Sequence, residues 1–300
     1  MMKNEKVKQQ PSDTALFTAL RRTIAHKEYS QKNWGPDYLA EIFLPAHYRF
    51  FLRFGKIRKN TNNKLARFMP GLTEYIIGRT IFFDNLFINA LINHIPQIVL
   101  LGAGYDSRAY RFAKFNSGTI IFELDALPTQ NRKRKSLKAA HINIPQEIRY
   151  IPIDFLTESL SDVLEKAGYR KQEITLFLWE GVSYYLDLES VKETLDFVGH
   201  AQGDSVIAFD YTIPLSEETM NNLYGAREFK KSMKEHHGDE EFMFSINNGK
   251  IESLLAESNL GMIEYMDNET MEQTYLTDEK GVLLGRITGN FRLVCASPLK

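Results

Sequence analysis

The stretch QIVLLGAGYDSRAYRFAKFNSGTIIFELD, from Gln97 to Asp125, decides the fold of this chain. It opens with an apolar run typical of a strand buried on both faces, and Gly102 and Gly104 follow in a turn. A second apolar run ends on the carboxylates Glu123 and Asp125. The glycines let the backbone approach a ligand, and an acid at this distance can bind ribose hydroxyls. The stretch is therefore typical of one nucleotide-binding βαβ unit.

The glycine turn departs from the dinucleotide-binding fingerprint G-x-G-x-x-G. The third glycine would fall at position 107, which is Ser107. Because that glycine permits close packing of helix on strand around a pyrophosphate, its absence disfavours NAD or FAD. A ligand with ribose and adenine but no phosphates remains, and S-adenosylmethionine (SAM) is the commonest of these. An ordinary buried strand with a glycine turn and no ligand is the alternative left open by this local pattern.

Composition indicates a globular chain and excludes several classes of protein. The 300 residues are 43% hydrophobic and 25% charged, which suits a large α/β domain. A formal net charge of −1 gives no reason to expect nucleic acid or an anionic membrane as a partner. The single cysteine, Cys295, excludes an internal disulfide and Cys-rich zinc sites. Without a signal-type or membrane-spanning apolar run, we expect a soluble cytoplasmic protein.

Helical periodicity precedes the βαβ unit. We interpret residues 1–94 as a helical cap or lid over the site and not as a separate domain. It is predicted to contain a disordered tail to about Gln10, a helix from Thr14 to Lys27 capped by Ser12, a helix from Asp37 to about Arg53, a polar link from Lys59 to Lys64, and an apolar helix from Leu72 to His94.

Strand and helix patterns alternate beyond Asp125, as in a doubly wound sheet. The strands are predicted at 148–155, 174–185, 205–211, 261–266 and 292–297. A helix is predicted before each of the first three of these strands, at 129–140, 156–168 and 188–200. Residues 214–247 interrupt the alternation and indicate a helical insertion. The chain is therefore predicted to be one α/β domain, 1–300, with a mostly parallel, seven-stranded Rossmann-like sheet. The basic run in the helix at 129–140 is interpreted as a solvated face.

Ligands of such sheets bind outside the carboxyl ends of the strands, so the polar residues there are the candidate site. Asp125 can bind both ribose hydroxyls. Asp154 and the amide of Phe155 can face the adenine edge, and Glu180 can hold the amino-acid end of SAM or lie near its sulfonium. Arg79 can pair with a carboxylate, although a surface position or a salt bridge to Asp84 is the alternative. The other candidate acids after strands are Asp106, Glu123 and Asp210.

Rival chemistries lack their motifs. The chain has no serine in a G-x-S-x-G elbow, no Walker lysine and no H-E-x-x-H pair. No metal site is predicted, since His236 and His237 lie in a charged segment that indicates solvent exposure. Cys295 is interpreted as a small core residue.

Five motifs in order resemble those of the leucine carboxyl methyltransferase family of class I SAM-dependent methyltransferases, in its bacterial branch linked to polyketide-type O-methylation. They are GRTIFFDNL (78–86), QIVLLGAGYDSRAYRF (97–112), IFELDALPTQNRKRKSL (121–137), IPIDF (151–155) and LFLWEGVSYYL (176–186). The resemblance implies that Arg79 binds the methionine carboxylate and that Gly102 and Gly104 form the glycine turn. It also implies that Asp125 holds the ribose, Asp154 and Phe155 the adenine and Glu180 the methionine amine, with Arg21 or Arg22 reaching SAM from the first helix.

The predicted methyl acceptor is an oxygen atom of a small molecule or peptide, such as a carboxylate or a polyketide-like compound. A carboxylate needs no general base, whereas a hydroxyl would be helped by one, and Asp106, Tyr185 and Tyr211 are the candidates. Two alternatives stay open: a non-catalytic SAM-binding or scaffold protein on the same fold, and an NAD-linked oxidoreductase.

Overall fold

The computed structural model describes residues 11–30, 34–155, 157–236 and 242–300. The predicted tail to about Gln10 and the residue His237 lie outside the described residues. The interpretation of the chain as a single domain, with 1–94 as a lid, stays a prediction.

A seven-stranded sheet forms the centre of the protein, in the order β3-β2-β1-β4-β5-β7-β6. Strands β1 to β5 pair in parallel, and β7 pairs antiparallel with both β5 and β6. The predicted α/β fold with a mostly parallel, seven-stranded sheet is therefore confirmed. The strands are β1 Gln97–Leu101, β2 Ile120–Asp125, β3 Ile148–Pro152, β4 Thr175–Trp179, β5 Val206–Thr212, β6 Leu260–Met266 and β7 Phe291–Pro298.

The central strands are apolar on both faces because helices cover both sides of the sheet. Every residue of β1 and β4 is buried. One core cluster includes Ile98 and Leu100, and the other includes Val99 and Leu101, so alternate side chains of β1 pack into opposite layers. The strand order reverses between β1 and β4, and this switch point is where a parallel sheet opens a crevice for a ligand.

Twelve α-helices surround the sheet in the described part of the chain. Helix α4 is long and apolar enough to cross a membrane, but 67% of its most apolar window is buried within the protein. The helices are α1 Asp13–Tyr29, α2 Ala46–Phe51, α3 Gly55–Phe68, α4 Leu72–Ile92, α5 Arg108–Arg111, α6 Leu127–Ala139, α7 Leu160–Lys166, α8 Leu188–Gly199, α9 Glu217–Asn222, α10 Ala226–His236, α11 Ile251–Glu257 and α12 Asn268–Tyr275.

The N-terminal helices differ from the predicted pattern after α1, whose cap Ser12 accepts a hydrogen bond from the amide of Ala15. The predicted helix from Asp37 to about Arg53 is wrong. A 3-10 turn, Ala40–Phe43, and the short helix α2 replace it, because Pro45 between them cannot continue a helix. The predicted polar link, 59–64, lies inside α3. No residue of α3 is buried, so its polarity reflects exposure to solvent and not a chain break.

Element boundaries also shift within the α/β core. Strand β4 ends at Trp179, because Gly181 has φ of +74°, and a 3-10 turn, Ser183–Tyr185, follows. Helix α7 begins four residues later than predicted, where Ser159 Oγ accepts a hydrogen bond from the amide of Asp162 at 3.3 Å. Helix α12 was not predicted. The insertion at 214–247 does contain helices, α9 and α10, as expected.

Two charged residues lie deeper than the sequence pattern indicated. Glu123 was predicted to lie at the end of a strand, where it could face a ligand. It lies instead within β2 and is buried. Its Oε2 lies 2.8 Å from Nζ of Lys133, which is also buried. The basic run of α6 is therefore not wholly a solvated face. Lys133 neutralises Glu123 inside the protein.

Candidate functional site

A cavity of about 820 Å³ opens at the carboxyl ends of β1 to β4. This volume lies within the roughly 300–1,000 Å³ typical of ligand sites, near its upper end. The N-terminal half of α1 and residues after β4 complete the wall. The cavity brings together every residue predicted to bind the cofactor, namely Arg79, Gly102, Gly104, Asp125, Asp154, Phe155 and Glu180.

The glycine turn after β1 forms the floor of the cavity. Gly102 has φ of +70°, and a Cβ at this position would lie 2.4 Å from Cγ2 of Val182. Gly104 also has a positive φ, +44°. The amide of Ala103 donates to the carbonyl of Leu124 at 2.8 Å and so ties the turn to β2. Only glycine combines this backbone conformation with so close an approach.

Asp125 ends β2 and closes the glycine turn. Its Oδ2 accepts a hydrogen bond from the amide of Gly104 at 2.6 Å, and its Oδ1 accepts one from the amide of Ala126 at 2.7 Å. Burial raises the pKa of Asp125, while these two amide donors oppose the rise. The carboxylate is thus held in one orientation at the cavity wall, with lone pairs left for hydroxyl donors.

Asp154 and Phe155 follow β3 and line the cavity beyond Asp125. The amide of Asp154 donates to Oε2 of Glu158 at 2.8 Å. The carbonyl of Asp154 accepts hydrogen bonds from the amides of Thr157 and Glu158. These bonds tie Asp154 to Thr157 and Glu158. Asp154 and Phe155, the two residues predicted to bind adenine, both line the cavity.

Glu180, after β4, is held by two arginines. Its Oε1 lies 3.0 Å from Nε of Arg79, and its Oε2 lies 2.7 Å from Nη1 of Arg108. Burial opposes ionisation of Glu180, but Arg108 and Arg79 outweigh it, so the pKa of Glu180 lies below its ordinary value. Arg79 also contacts Asp210 at 2.8 Å. Arg79 is therefore not a surface residue, because it is buried. It also forms no salt bridge to Asp84, since its partners are Glu180 and Asp210.

A buried ionic network extends from Glu180 beneath the cavity, and the sequence did not predict it. Arg108 contacts Asp84 at 2.8 Å and Asp106 at 2.6 Å in addition to Glu180. Arg111 contacts Asp84 at 2.6 Å and lies 3.4 Å from Asp37. The signal was present in the motif YDSRAYRF, where two arginines three residues apart share one face of a helix.

The three acceptor-side candidates have different surroundings. Asp106 lines the cavity, but it accepts from the amide and the guanidinium of Arg108. Burial works against its ionisation, yet Arg108 outweighs this and lowers the pKa of Asp106 to about 2, which suits an ion-pair partner better than a base. Tyr185 lines the cavity. Tyr211 does not, because it is buried in the core layer that contains Phe209.

Asp210, another acid predicted after a strand, supports the site without lining the cavity. It accepts hydrogen bonds from the hydroxyl of Tyr75 at 2.6 Å, from Arg79 at 2.8 Å and from the amide of Gly181 at 2.6 Å. It therefore orients Arg79 and the turn that carries Glu180. Among the described residues, no group of three or more His, Cys, Asp or Glu side chains could hold a metal ion.

The structure distinguishes the two arginines of the first helix. Arg22 lines the cavity, pairs with Asp37 at 3.0 Å and donates to the carbonyl of Tyr105 at 2.9 Å. Its Nε is buried and has no hydrogen-bond partner among the described residues. Arg21 instead donates to Oγ1 of Thr73, and burial lowers its pKa to about 10.

Arg22→Met is therefore expected to weaken binding of S-adenosylhomocysteine by about tenfold, the scale of one charge-assisted hydrogen bond. Arg21→Met should leave affinity within about twofold, since Arg21 does not line the cavity. Calorimetric titration of both variants, with thermal unfolding to measure the folded fraction, checks this. Equal losses of affinity would contradict the assignment.

The charges around the cavity indicate which kind of ligand fits. Among the described lining residues, the carboxylates outnumber the guanidinium groups by five to two. An excess of carboxylates suits a ligand that carries positive charge, as the sulfonium and ammonium groups of SAM do. The residues present therefore fit SAM. The five acids are Asp106, Asp125, Asp154, Glu158 and Glu180.

Comparison with known proteins agrees with this geometry. The model of the leucine carboxyl methyltransferase family matches residues 15–199. YktD from Bacillus subtilis, named as a SAM-dependent methyltransferase, is 28% identical over 296 residues, which cover 91% of this chain and 94% of YktD. A similarly named protein from Frankia alni is 35% identical over 147 residues, covering 49% of this chain and 52% of that protein.

Solved structures share the fold at low sequence identity. A candidate methyltransferase from Thermobifida fusca has a TM-score of 0.59 at 11% identity, covering 97% of this chain and 96% of that one. A DUF574 family protein from Streptomyces avermitilis has a TM-score of 0.57 at 13% identity, covering 81% and 90%. With the sheet, the glycine turn and the acidic cavity, these matches mean that the chain belongs to the leucine carboxyl methyltransferase family and is a SAM-dependent methyltransferase.

Proposed function

We propose that this protein transfers the methyl group of SAM to a carboxylate oxygen of a small-molecule acceptor with an apolar body. The observation that carries the proposal is that the acids best placed to serve as a base are already held by arginines. An acceptor that is itself an anion at neutral pH needs no base. The name of the family, leucine carboxyl methyltransferase, points to the same chemistry.

The cofactor is proposed to lie along the carboxyl ends of the strands. Asp125 binds the ribose hydroxyls, and Asp154 with the amide of Phe155 binds adenine. Glu180 receives the amino group, and Arg79 or Arg22 the carboxylate. When bound, SAM supplies a methyl group on a sulfonium that is already activated for in-line displacement. The protein then chiefly aligns the acceptor and excludes water.

The acceptor is proposed to occupy the part of the cavity that these polar residues leave. Its walls carry apolar groups, including Val182, Leu186 and Met243, the last from the segment after the insertion helices. Asp106 and Glu180 line the cavity, but arginines lower the pKa of each, so neither takes a proton near neutral pH. The walls therefore suit an apolar body, while the nucleophile must bring its own charge.

A methyl-transfer assay tests the proposal. SAM carrying a labelled methyl group is incubated with a panel of apolar carboxylic acids and a matched panel of phenols and alcohols. We expect label in a product that releases methanol on mild alkaline hydrolysis, as an ester does. A stable methyl ether would contradict carboxylate transfer. Tight SAM binding without turnover on either panel would favour a non-catalytic binding protein on this fold.

Tyr185→Phe separates carboxylate from hydroxyl transfer. Tyr185 lines the cavity and is the remaining predicted base that faces it, so a hydroxyl acceptor is the second candidate function. With a carboxylate acceptor, kcat should change by less than about threefold, whereas loss of a general base typically costs about 10²–10⁴. Steady-state kinetics of the variant on the best acceptor measures this. Tyr211→Phe is the matched control, since Tyr211 lies outside the cavity.

A further inference from the structure

Residues 46–68, which comprise α2 and α3, carry a concentrated positive charge. This basic aromatic segment holds seven arginines and lysines and no aspartate or glutamate. Because the whole chain has a formal net charge of −1, the remaining residues carry −8. The near-neutral total, which gave no reason to expect an anionic partner, therefore conceals a strong separation of charge. The cations are Arg49, Arg53, Lys56, Arg58, Lys59, Lys64 and Arg67.

The same segment exposes large aromatic side chains at the corner between α2 and α3. Phe50, Phe51 and Phe54 are each at least 50% exposed. The ring of Phe50 lies 5.6 Å from that of Phe51 and 5.5 Å from that of Phe54, so the three rings form one continuous patch. Ile57 is exposed beside them in sequence. Contiguous exposed apolar groups of this kind mark an interaction surface on a folded protein.

The segment is attached firmly to the rest of the molecule. Leu52 lies between these phenylalanines in the sequence but is buried. It packs in the core cluster that also contains Ile98 and Leu100. Arg58 contacts Glu28 of α1 at 2.6 Å and donates to the carbonyl of Leu52 at 3.0 Å. None of residues 46–68 lines the cavity. The corner is thus tied to α1 and to the core, and its exposed groups are not part of the cofactor site.

We propose that the basic aromatic segment docks this protein on an anionic lipid bilayer. Phenylalanines flanked by arginine and lysine match the division of a membrane interface into an acyl boundary and an anionic headgroup layer. Arg49, Arg53 and Lys56 lie within the same corner as the rings and would meet the headgroups. Exposed rings need no complementary pocket in a bilayer, whereas an acidic protein would have to supply one. The remaining residues carry a net charge of −8, so an anionic bilayer repels them and attracts the basic aromatic segment.

Sedimentation with lipid vesicles tests the proposal on the full chain. We expect binding to vesicles of phosphatidylcholine and phosphatidylglycerol in equal parts, little binding to phosphatidylcholine alone, and release at high salt. Binding should fall at least about tenfold in either of two triple variants, because docking uses both apolar burial and charge. The variants are Phe50→Ser/Phe51→Ser/Phe54→Ser and Arg49→Gln/Arg53→Gln/Lys56→Gln.

Matched controls remove exposed groups elsewhere and should keep full binding. The apolar control is Ile263→Ser/Val282→Ser/Leu299→Ser, at side chains more than 50% exposed. The charge control is Arg134→Gln/Lys135→Gln/Lys138→Gln on α6. All four variants should bind S-adenosylhomocysteine like the wild type, which confirms that they fold and separates this test from that of the methyl acceptor.

Three results would overturn the proposal. The first is equal binding to neutral and anionic vesicles, and the second is equal loss of binding in the controls. The third is failure to bind anionic vesicles, whether or not duplex DNA or polyglutamate binds through the same segment. Polyglutamate binding alone would assign the surface to an acidic protein, and duplex binding alone to a nucleic acid.

Discussion

Asp125→Ala is expected to weaken binding of SAM and of S-adenosylhomocysteine by about 30-fold or more, or about 2 kcal/mol, the scale for losing charge-assisted hydrogen bonds. The variant removes the proposed ribose acceptor. It also leaves the amide of Gly104, 2.6 Å from Oδ2, without its partner, so the glycine turn loses the bond that shapes it. Isothermal titration calorimetry on the purified variant measures the loss.

Asp125→Asn should be nearly as damaging, although it preserves the shape of the side chain. Each carboxylate oxygen accepts from a backbone amide, at 2.6 Å from Gly104 and 2.7 Å from Ala126. In either rotamer, an asparagine must turn its own NH₂ group toward one of these donors. Asp204→Ala is the matched control, since Asp204 is an exposed acid paired with Lys300. Unchanged affinity in Asp125→Ala would remove Asp125 from the site.

The sequence was sufficient to predict the fold and to predict which residues line the cavity at the strand ends. The carboxyl ends of parallel strands meet at one edge, so Gly102, Asp125 and Glu180 were expected together once β1, β2 and β4 were recognised. The apolar runs of β1 and β4 are unambiguous because both faces of these strands are buried. Roles of the individual side chains toward SAM stay predictions.

Side-chain direction was harder to predict than strand position. All but the first residue of β5 is buried, so its sequence shows no polar face from which the direction of Tyr211 could be deduced. Successive side chains in a strand point to opposite faces. Asp210 reaches Arg79, and Tyr211 consequently enters the other core layer.

The partners of Arg79 were hidden for a related reason. Arg79 and Asp84 are five positions apart in the helix, and at 3.6 residues per turn they project about 140° apart. Asp84 therefore meets Arg108 and Arg111, which come from a different element. Pairings between elements depend on how helices pack, and neither spacing nor composition contains that information. The polar stretch at 59–64 was predicted as a link for a different reason. No residue of α3 is buried, so the helix has no apolar stripe to mark it in the sequence.

Arg108→Met is expected to destabilise the protein by about 3–5 kcal/mol at neutral pH, the cost of breaking a buried ion pair from one side. Arg108 is buried and contacts Asp84, Asp106 and Glu180 within 2.8 Å. The methionine fills a similar volume but leaves these carboxylates without their shared cation. Urea unfolding measures the loss, and Arg170→Met, at an exposed pair with Glu173, should change stability by less than about 0.5 kcal/mol.

The pH dependence of this loss distinguishes electrostatics from packing. In the wild type, Arg108 lowers the pKa of Asp106 to about 2, so the stabilisation is complete above the ordinary value of 3.8 and disappears as pH falls toward 2. In Arg108→Met, burial without the cation should raise the carboxylate pKa values above their unfolded values. Protonation then favours the folded variant, and its deficit should shrink between pH 7 and pH 5. A deficit equal at both pH values would mean that Arg108 acts through packing, because a cavity costs the same at either pH.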